Sequence, residues 1–388
     1  VAPSATLTVA AQLARLRAEG HRVYSFCLGD PDFDTPVHVR NAARSALDLA
    51  TTHYTPVAGT RELKSAICAV TERHRGYRPR TSEVVVSCGS KHALFNLALA
   101  LFEVGDEVVI PAPYWVTYPA QVRLAGATPV FVPTAERDGF RVSASGLARA
   151  ITVRTKAVLV CTPCNPTGTV YAEEHLQPLL EVFRQRDIWI IIDEIYGDLT
   201  YGGVHHVSIP AIAEDLRDRI AVVDSVSATY AMAGWRIGWT IAPDALCAAL
   251  ELIQGQTATQ ACALSQAAAV AALSGPRDEV DAMRAAFARR RDLMTQGLRS
   301  IPGVTCRIPD GSFYALANVR GLYGIEWQGR LLTSDEDIAA WLLDAAHVAA
   351  VPGASFGAPG YLRFSFACSE EDIEGGLLAM QKAVARHR

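Results

Sequence analysis

Two apolar runs without a gap, Ala157 to Cys161 and Ile188 to Ile192, constrain the fold more than any other feature of the chain. A strand that is apolar at every position must be covered on both faces, as a central strand of a parallel sheet is when helices flank it on both sides. Further β-rich runs, Val84 to Ser87, Glu107 to Ile110, Pro129 to Val132, Ile220 to Val223 and Arg236 to Ile241, alternate with helical patterns around them. The alternation predicts an α/β fold with a mostly parallel, seven-stranded sheet.

At 388 residues the chain exceeds one compact core, so a second domain is expected. From Pro276 the pattern changes to a long helix, short strands near Val304 to Ile308 and Phe313 to Ala317, and a helix over Asp335 to Ala346. A turn-rich stretch from Val351 to Gly360, a strand at Tyr361 to Phe366 and a closing helix from Ser369 follow. This predicts a large domain over 41–275 and a smaller α+β domain over 276–388, with an N-terminal arm over 1–40 whose helix joins the smaller one.

The formal charge of −4, with acids and bases interspersed, argues against a nucleic-acid partner or an acidic membrane surface and for a small ligand. Arg289, Arg290 and Arg291 fall within a helical pattern and are expected on a solvated face. Nine scattered cysteines in so long a chain suit a reducing cytoplasm rather than a disulfide framework. Cys161 and Cys164 form a single C-x-x-C, which without a second pair is weak evidence for metal, so no metal site is expected. Residues Val1 to Gly20 lack the apolar core of a signal peptide, and no run reaches membrane-spanning length.

Polar residues interrupt the chain where strands end, and in an open parallel sheet those ends converge on one site. Cys88-Gly89-Ser90-Lys91 follows a strand and opens a helix; free N–H groups and the positive dipole end suit a phosphate, although a Gly-Ser turn alone is usually only a cap. Asp193 ends a buried run and needs a partner or water. Tyr196 lies three residues on, and Asn165-Pro166-Thr167-Gly168 caps another strand with turn chemistry.

The run Ser225-Val226-Ser227-Ala228-Thr229-Tyr230-Ala231-Met232-Ala233-Gly234-Trp235-Arg236 resembles the cofactor motif of class I/II aminotransferases, enzymes of pyridoxal 5′-phosphate (PLP) fold type I. Ser225, Ser227, Gly234 and Arg236 match that motif, and Ala228 occupies the position of its lysine. The resemblance extends from Pro3-Ser4-Ala5-Thr6 and Gly29-Asp30-Pro31-Asp32-Phe33 to Val351-Pro352-Gly353 and Arg363, and is nearest the bacterial aspartate/prephenate branch. Joint matches at so many separated motifs are far more specific than any one of them.

The resemblance implies a role for each interruption. Gly89, Ser90, Lys91, Ser225, Ser227 and Arg236 are expected around the PLP phosphate, the arginine as a charge-assisted fork. Tyr54 is expected to reach the phosphate of a second subunit, which implies a homodimer with shared sites. Trp115 would stack on the pyridine ring, Asp193 would hold the ring nitrogen protonated, and Asn165 with Tyr196 would bond the 3-hydroxyl oxygen. Arg363, with Asn165 and the Gly29 backbone, would take the substrate α-carboxylate. Lys91, Ser4 and Thr6 match distal-group contacts of relatives with acidic substrates, whereas Thr257-Ala258-Thr259-Gln260-Ala261 departs from the family's pattern at the mouth of the site.

In this family the lysine bonds the cofactor and shuttles the α-proton, and alanine does neither. Lys64, Lys91, Lys156 and Lys382 are the lysines of the chain, and none is an evident substitute. Retention of Asp193, Asn165, Tyr196, Arg236 and Arg363 together favours a lysine-to-alanine change in a working enzyme, able to hold an external aldimine, over natural loss of catalysis. The resemblance implies amino transfer between an L-amino acid, acidic or polar, and a 2-oxo acid. Elimination or replacement chemistry, as on S-adenosylmethionine, stays open, as does a PLP-binding sensor; family regulators carry an added DNA-binding domain, and this chain shows none.

Overall fold

The computed structural model describes residues 16 and 18–387. All seven runs are strands of one sheet: β1 (Val84–Ser87), β2 (Glu107–Ala112), β3 (Thr128–Pro133), β4 (Thr155–Cys161), β5 (Trp189–Asp193), β6 (Ile220–Ser225) and β7 (Gly238–Ile241). Their order is β1-β7-β6-β5-β4-β2-β3. The uninterrupted apolar runs have the expected cause. In β4, Val158 and Val160 enter one hydrophobic core while Ala157 and Leu159 enter another on the opposite face.

β7 alone runs antiparallel to its neighbours β1 and β6. Its amino end therefore meets their carboxyl ends, with Gly238 in register with both Ser87 and Ser225. The strand expected from Arg236 begins two residues later, because Arg236 has a left-handed backbone with φ 58°. Four helices matter for the site and its supports: α1 (Arg61–Arg75), α2 (Ser90–Leu101), α3 (Thr117–Leu124) and α4 (Asp278–Arg299). Gly238 is required by close packing: a Cβ there would stand 2.3 Å from the Ser90 nitrogen at the start of α2.

The C-terminal part forms a four-stranded antiparallel sheet, in the order Val351–Pro352, Tyr361–Ser365, Tyr314–Asn318, Thr305–Cys306. Helices α4 and Asp335–Ala346 pack on it, and Glu370–His387 packs on those two helices. Tyr24–Ser25 pairs parallel with Val348–Ala349. The arginine run on α4 is not a uniformly solvated face. Arg290 is buried, grips Asp32 through two hydrogen bonds of 2.6 and 3.0 Å, and lies over the Phe33 ring. Helical period predicted an apolar stripe correctly but gave no sign of a distant acid that draws one arginine inward.

Behind the sheet's carboxyl edge a single guanidinium gathers three acids. Arg75, at the end of α1, contacts Asp198 at 2.7 Å, Asp224 at 3.1 Å and Glu194 at 3.5 Å. Arg277 adds a second cation to Asp198 at 3.0 Å. Burial opposes ionisation of Asp198, but Arg75 and Arg277 outweigh it and hold that carboxyl well below the usual range. Burial wins at Asp224 and pushes it up to about 7 against the pull of Arg75. Removing the shared partner leaves buried acids uncompensated, so Arg75→Met is expected to lower stability by about 3–5 kcal/mol in urea unfolding at neutral pH. A change within experimental error would show that the acids are satisfied without it.

Candidate active site

The carboxyl ends of the strands, together with the start of β7, enclose a cavity of about 350 Å³. Ser90, Lys91, Trp115, Asn165, Asp193, Tyr196, Ser227, Ala228 and Arg236 all stand on its wall, and Gly29 and Arg363 close it from the side of the C-terminal sheet. Ser90, Trp115, Asn165, Asp193 and Ser227 meet because each ends or follows a strand at the same edge, Arg236 because it precedes the reversed β7, and Gly29 and Arg363 reach the cavity from outside this sheet.

One end of the cavity is an anion cradle. Gly89 caps α2 with φ 87° and no side-chain cap, and among the described residues no acceptor takes the N–H groups of Ser90 and Lys91, both of which line the cavity. The Arg236 guanidinium lies against this turn, donating to the carbonyls of Ala233 at 2.6 Å and Cys88 at 3.4 Å. A Cβ on Gly89 would stand 2.3 Å from an Arg236 nitrogen, so glycine is needed for the approach as well as for its backbone angle. The Lys91 ammonium sits 5.0 Å from the Trp115 ring centroid, and burial, then Arg236, lowers its pKa.

Asp193 stands in the middle of the wall and is fully buried. Its Oδ2 accepts a 2.7 Å hydrogen bond from the Tyr118 hydroxyl, and Oδ1 accepts one of 3.3 Å from the Ile195 N–H. Burial raises the carboxyl to about 6 while these two donors pull it down. The carboxylate is therefore largely ionised at neutral pH, with capacity for one further donor. Tyr196 contacts the Tyr314 hydroxyl at 3.3 Å, and burial lifts its pKa well above the ordinary value, so it stays a neutral donor.

At the other end Arg363 is only 3 % exposed. It donates to Asn165 Oδ1 at 3.0 Å and to the Cys27 carbonyl at 2.6 Å, and its Nε has no partner among the described residues. The rings of Tyr314 and Phe356 lie 4.4 and 4.8 Å from the guanidinium carbon. Among the described residues no acid pairs with it. A buried cation on a cavity wall, offset only by neutral groups, is matched to an incoming anion. Gly29 permits the packing here, since a Cβ would lie 1.8 Å from the Tyr314 hydroxyl.

Some expected site residues stand elsewhere. Ser225 lies one layer behind the wall, its hydroxyl accepting from the Ser227 N–H at 3.2 Å and its own N–H bound to Asp224 at 2.7 Å. Tyr54 is 87 % exposed and lines a separate open groove with His53, Gln260 and Cys262. Ser4 and Thr6 lie outside the described residues. Tyr118 and Tyr314 are site residues that the sequence did not reveal. Tyr118 follows Trp115 by three positions, the same spacing that joins Tyr196 to Asp193, and could have been found that way. Tyr314 reaches the site only through the pairing of its strand with that of Arg363, in which Leu316 faces Arg363. No local signal encodes that register.

Among the described residues no group of three or more potential ligands is placed to hold a metal, and no helix is long and apolar enough to cross a membrane. Residues 22–379 match the family model described as aminotransferase class I and II. The chain is 42% identical over 386 residues to an aspartate aminotransferase of Streptomyces avermitilis, covering 99% of this chain and 95% of that protein. It is also 42% identical over 377 residues to an aspartate/prephenate aminotransferase of Nitrosomonas europaea, covering 96% and 95%. The crystal structure of the Rhizobium meliloti aspartate aminotransferase superimposes with a TM-score of 0.97 at 38% identity, covering 100% of this chain and 98% of that one. That of the Thermus thermophilus aspartate aminotransferase with maleate gives 0.92 at 37%, covering 98% and 97%. The α/β chain whose strand ends build this cavity belongs to the class I and II aminotransferase family.

Proposed function

We propose that the cavity binds pyridoxal 5′-phosphate, the cofactor of this family, for transfer of the amino group of an acidic or polar L-amino acid to a 2-oxo acid. The observation that carries this reading is the opposition of two cationic ends, Arg236 with the start of α2 and Arg363 without an acid, across a buried carboxylate, Asp193. A phosphorylated aromatic aldehyde joined to an amino acid needs those three charges. The names of the relatives, aspartate and aspartate/prephenate aminotransferase, favour amino transfer over elimination or replacement.

When bound, the cofactor supplies an aldehyde that takes up the amino group and a ring that accepts electrons from the substrate. The chain would do the rest. Ser90, Arg236 and the α2 amides would hold the phosphate, with Ser225 supporting them through Ser227. Asp193 would keep the proton on the ring nitrogen, oriented by Tyr118. Trp115 would cover the ring and exclude water, and Asn165 and Tyr196 would bond its 3-hydroxyl oxygen. Arg363 would orient the α-carboxylate, and Lys91 would attract a distal carboxylate. Tyr54, exposed in this chain, would complete the phosphate site of a second copy in a homodimer.

Ala228 stands where the proton would have to move, and a methyl group moves none. We read it as a lysine-to-alanine change in a site whose other parts are intact. Loss of a positioned base alone costs roughly 10²–10⁴-fold. In Ala228→Lys, borohydride reduction after loading with the cofactor is expected to leave the cofactor's mass on the peptide spanning position 228. Transfer from aspartate to 2-oxoglutarate should rise by at least about 100-fold; an unlabelled peptide and no gain would refute the assignment.

Arg363→Lys keeps the charge but loses the planar fork, so maleate should bind about tenfold or more weakly to the cofactor-loaded protein in calorimetry. Equal affinity would remove Arg363 from the carboxylate site. Tyr118→Phe deletes a donor to a charged acceptor, worth about 1.5–3 kcal/mol, and should raise the Asp193 midpoint by roughly one unit or more. Carboxyl ¹³C NMR titration of the cofactor-free protein reads this directly: the native midpoint is expected at about 6, and an unmoved midpoint in the variant would count against the role given to Tyr118.

A further inference from the structure

The proposed chemistry leaves the turn Cys161-Thr162-Pro163-Cys164 unused. Cys161 ends β4 in register with Asp193 and lines the site cavity. It also lines, together with Cys164, a second and enclosed void of about 20 Å³. The two thiols are free and buried and share the lining of that void; Cys161 Sγ lies 3.3 Å from the Pro163 carbonyl oxygen and Cys164 Sγ 3.8 Å from that of Pro113. Cys164 is the residue before Asn165, whose Oδ1 accepts from Arg363 at 3.0 Å. A pair of nucleophilic sulfurs therefore joins the wall beside the buried acid to the residue that positions the substrate-facing arginine.

We infer that Cys161 and Cys164 are a reversible dithiol–disulfide site, oxidised by a small peroxide that enters through the active-site cavity, and that closing the bond displaces Asn165 and weakens carboxylate binding at Arg363. The second half of this inference rests on the function proposed above; the first does not. Burial pushes the Cys161 thiol up, whereas the interaction with Cys161 lowers that of Cys164.

Cys161 Sγ, on the cavity wall, attacks one oxygen of hydrogen peroxide. An S–O bond forms, the O–O bond breaks, and the departing hydroxide takes the Cys161 thiol proton and leaves as water. Cys164 Sγ then attacks Cys161 Sγ; the S–S bond forms, the S–O bond breaks, and the second hydroxide takes the Cys164 thiol proton and leaves as water. Two thiols have lost two electrons, and one peroxide has become two waters. The sulfurs must approach to about 2.05 Å, far closer than two unbonded thiols, which draws the turn ending at Asn165 toward β4. A thiol reductant reverses the change by exchange.

The test uses the cofactor-loaded protein, treated with hydrogen peroxide, alkylated and mapped by mass spectrometry, with maleate affinity measured before and after. The expected result is a peptide bridged between Cys161 and Cys164 and maleate binding weakened about tenfold, a difference of 1.4 kcal/mol. Dithiothreitol should restore binding, and Cys164→Ser should bind maleate equally before and after peroxide, which separates this pair from oxidation at the exposed Cys262 or the partly exposed Cys88 and Cys368. Absence of the bridged peptide overturns the site, and a bridged protein with unchanged maleate affinity overturns its coupling to Arg363. Reduced protein that binds no maleate at all refutes the proposed function instead, and the peptide map still decides the oxidation site.

Discussion

A carboxylate at the end of the central strand of an apolar sheet is the constraint around which the molecule is arranged. Burial drives Asp193 toward its neutral form, and the structure opposes that with a tyrosine hydroxyl on one oxygen and a backbone N–H on the other. Its neighbour Glu194 raises the cost by adding a second buried charge, which Arg75, His206 and Ser208 offset from behind. The α1 helix, the turn after β5 and the motif after β6 are thereby tied together beneath the site. Asp224, one of the acids on Arg75, also holds the N–H of Ser225, so the ionic layer reaches the wall that carries Ser227 and Ala228.

The same sheet explains why a cationic cradle lies opposite this acid. Reversal of β7 brings its amino end to the edge where the parallel strands finish, and the left-handed Arg236 just before it folds onto the start of α2. Two glycines permit that contact, one by backbone angle and one by lacking a Cβ in a place where another backbone passes. Position 228 lies on the wall of the same cavity as the cradle and the buried arginine.

Much of this was legible in the sequence because it depends on period and on punctuation. Gap-free apolar runs placed the central strands, and polar residues directly after them located the cavity wall at Ser90, Asn165, Asp193 and Tyr196. What the sequence hid depends on long-range pairing. Tyr314 enters through the register of two antiparallel strands, Arg290 turns inward to an acid 258 positions away, and Ser225 stops one layer short because Asp224 holds its backbone. The strand expected from Arg236 started late for a related reason, since the approach to α2 demands a left-handed residue that strand propensity does not anticipate.

In the function proposed above, one cavity holds phosphate, ring and carboxylate in a fixed direction, with Ala228 on its wall. A crystal structure of the chain grown with pyridoxal 5′-phosphate and aspartate tests it most directly. The account predicts the phosphate on Ser90 and Arg236, the ring nitrogen at Asp193, the α-carboxylate on Arg363 and no bond between cofactor and protein at position 228. A cofactor lying outside this cavity, or reversed so that its phosphate meets Arg363, would contradict it.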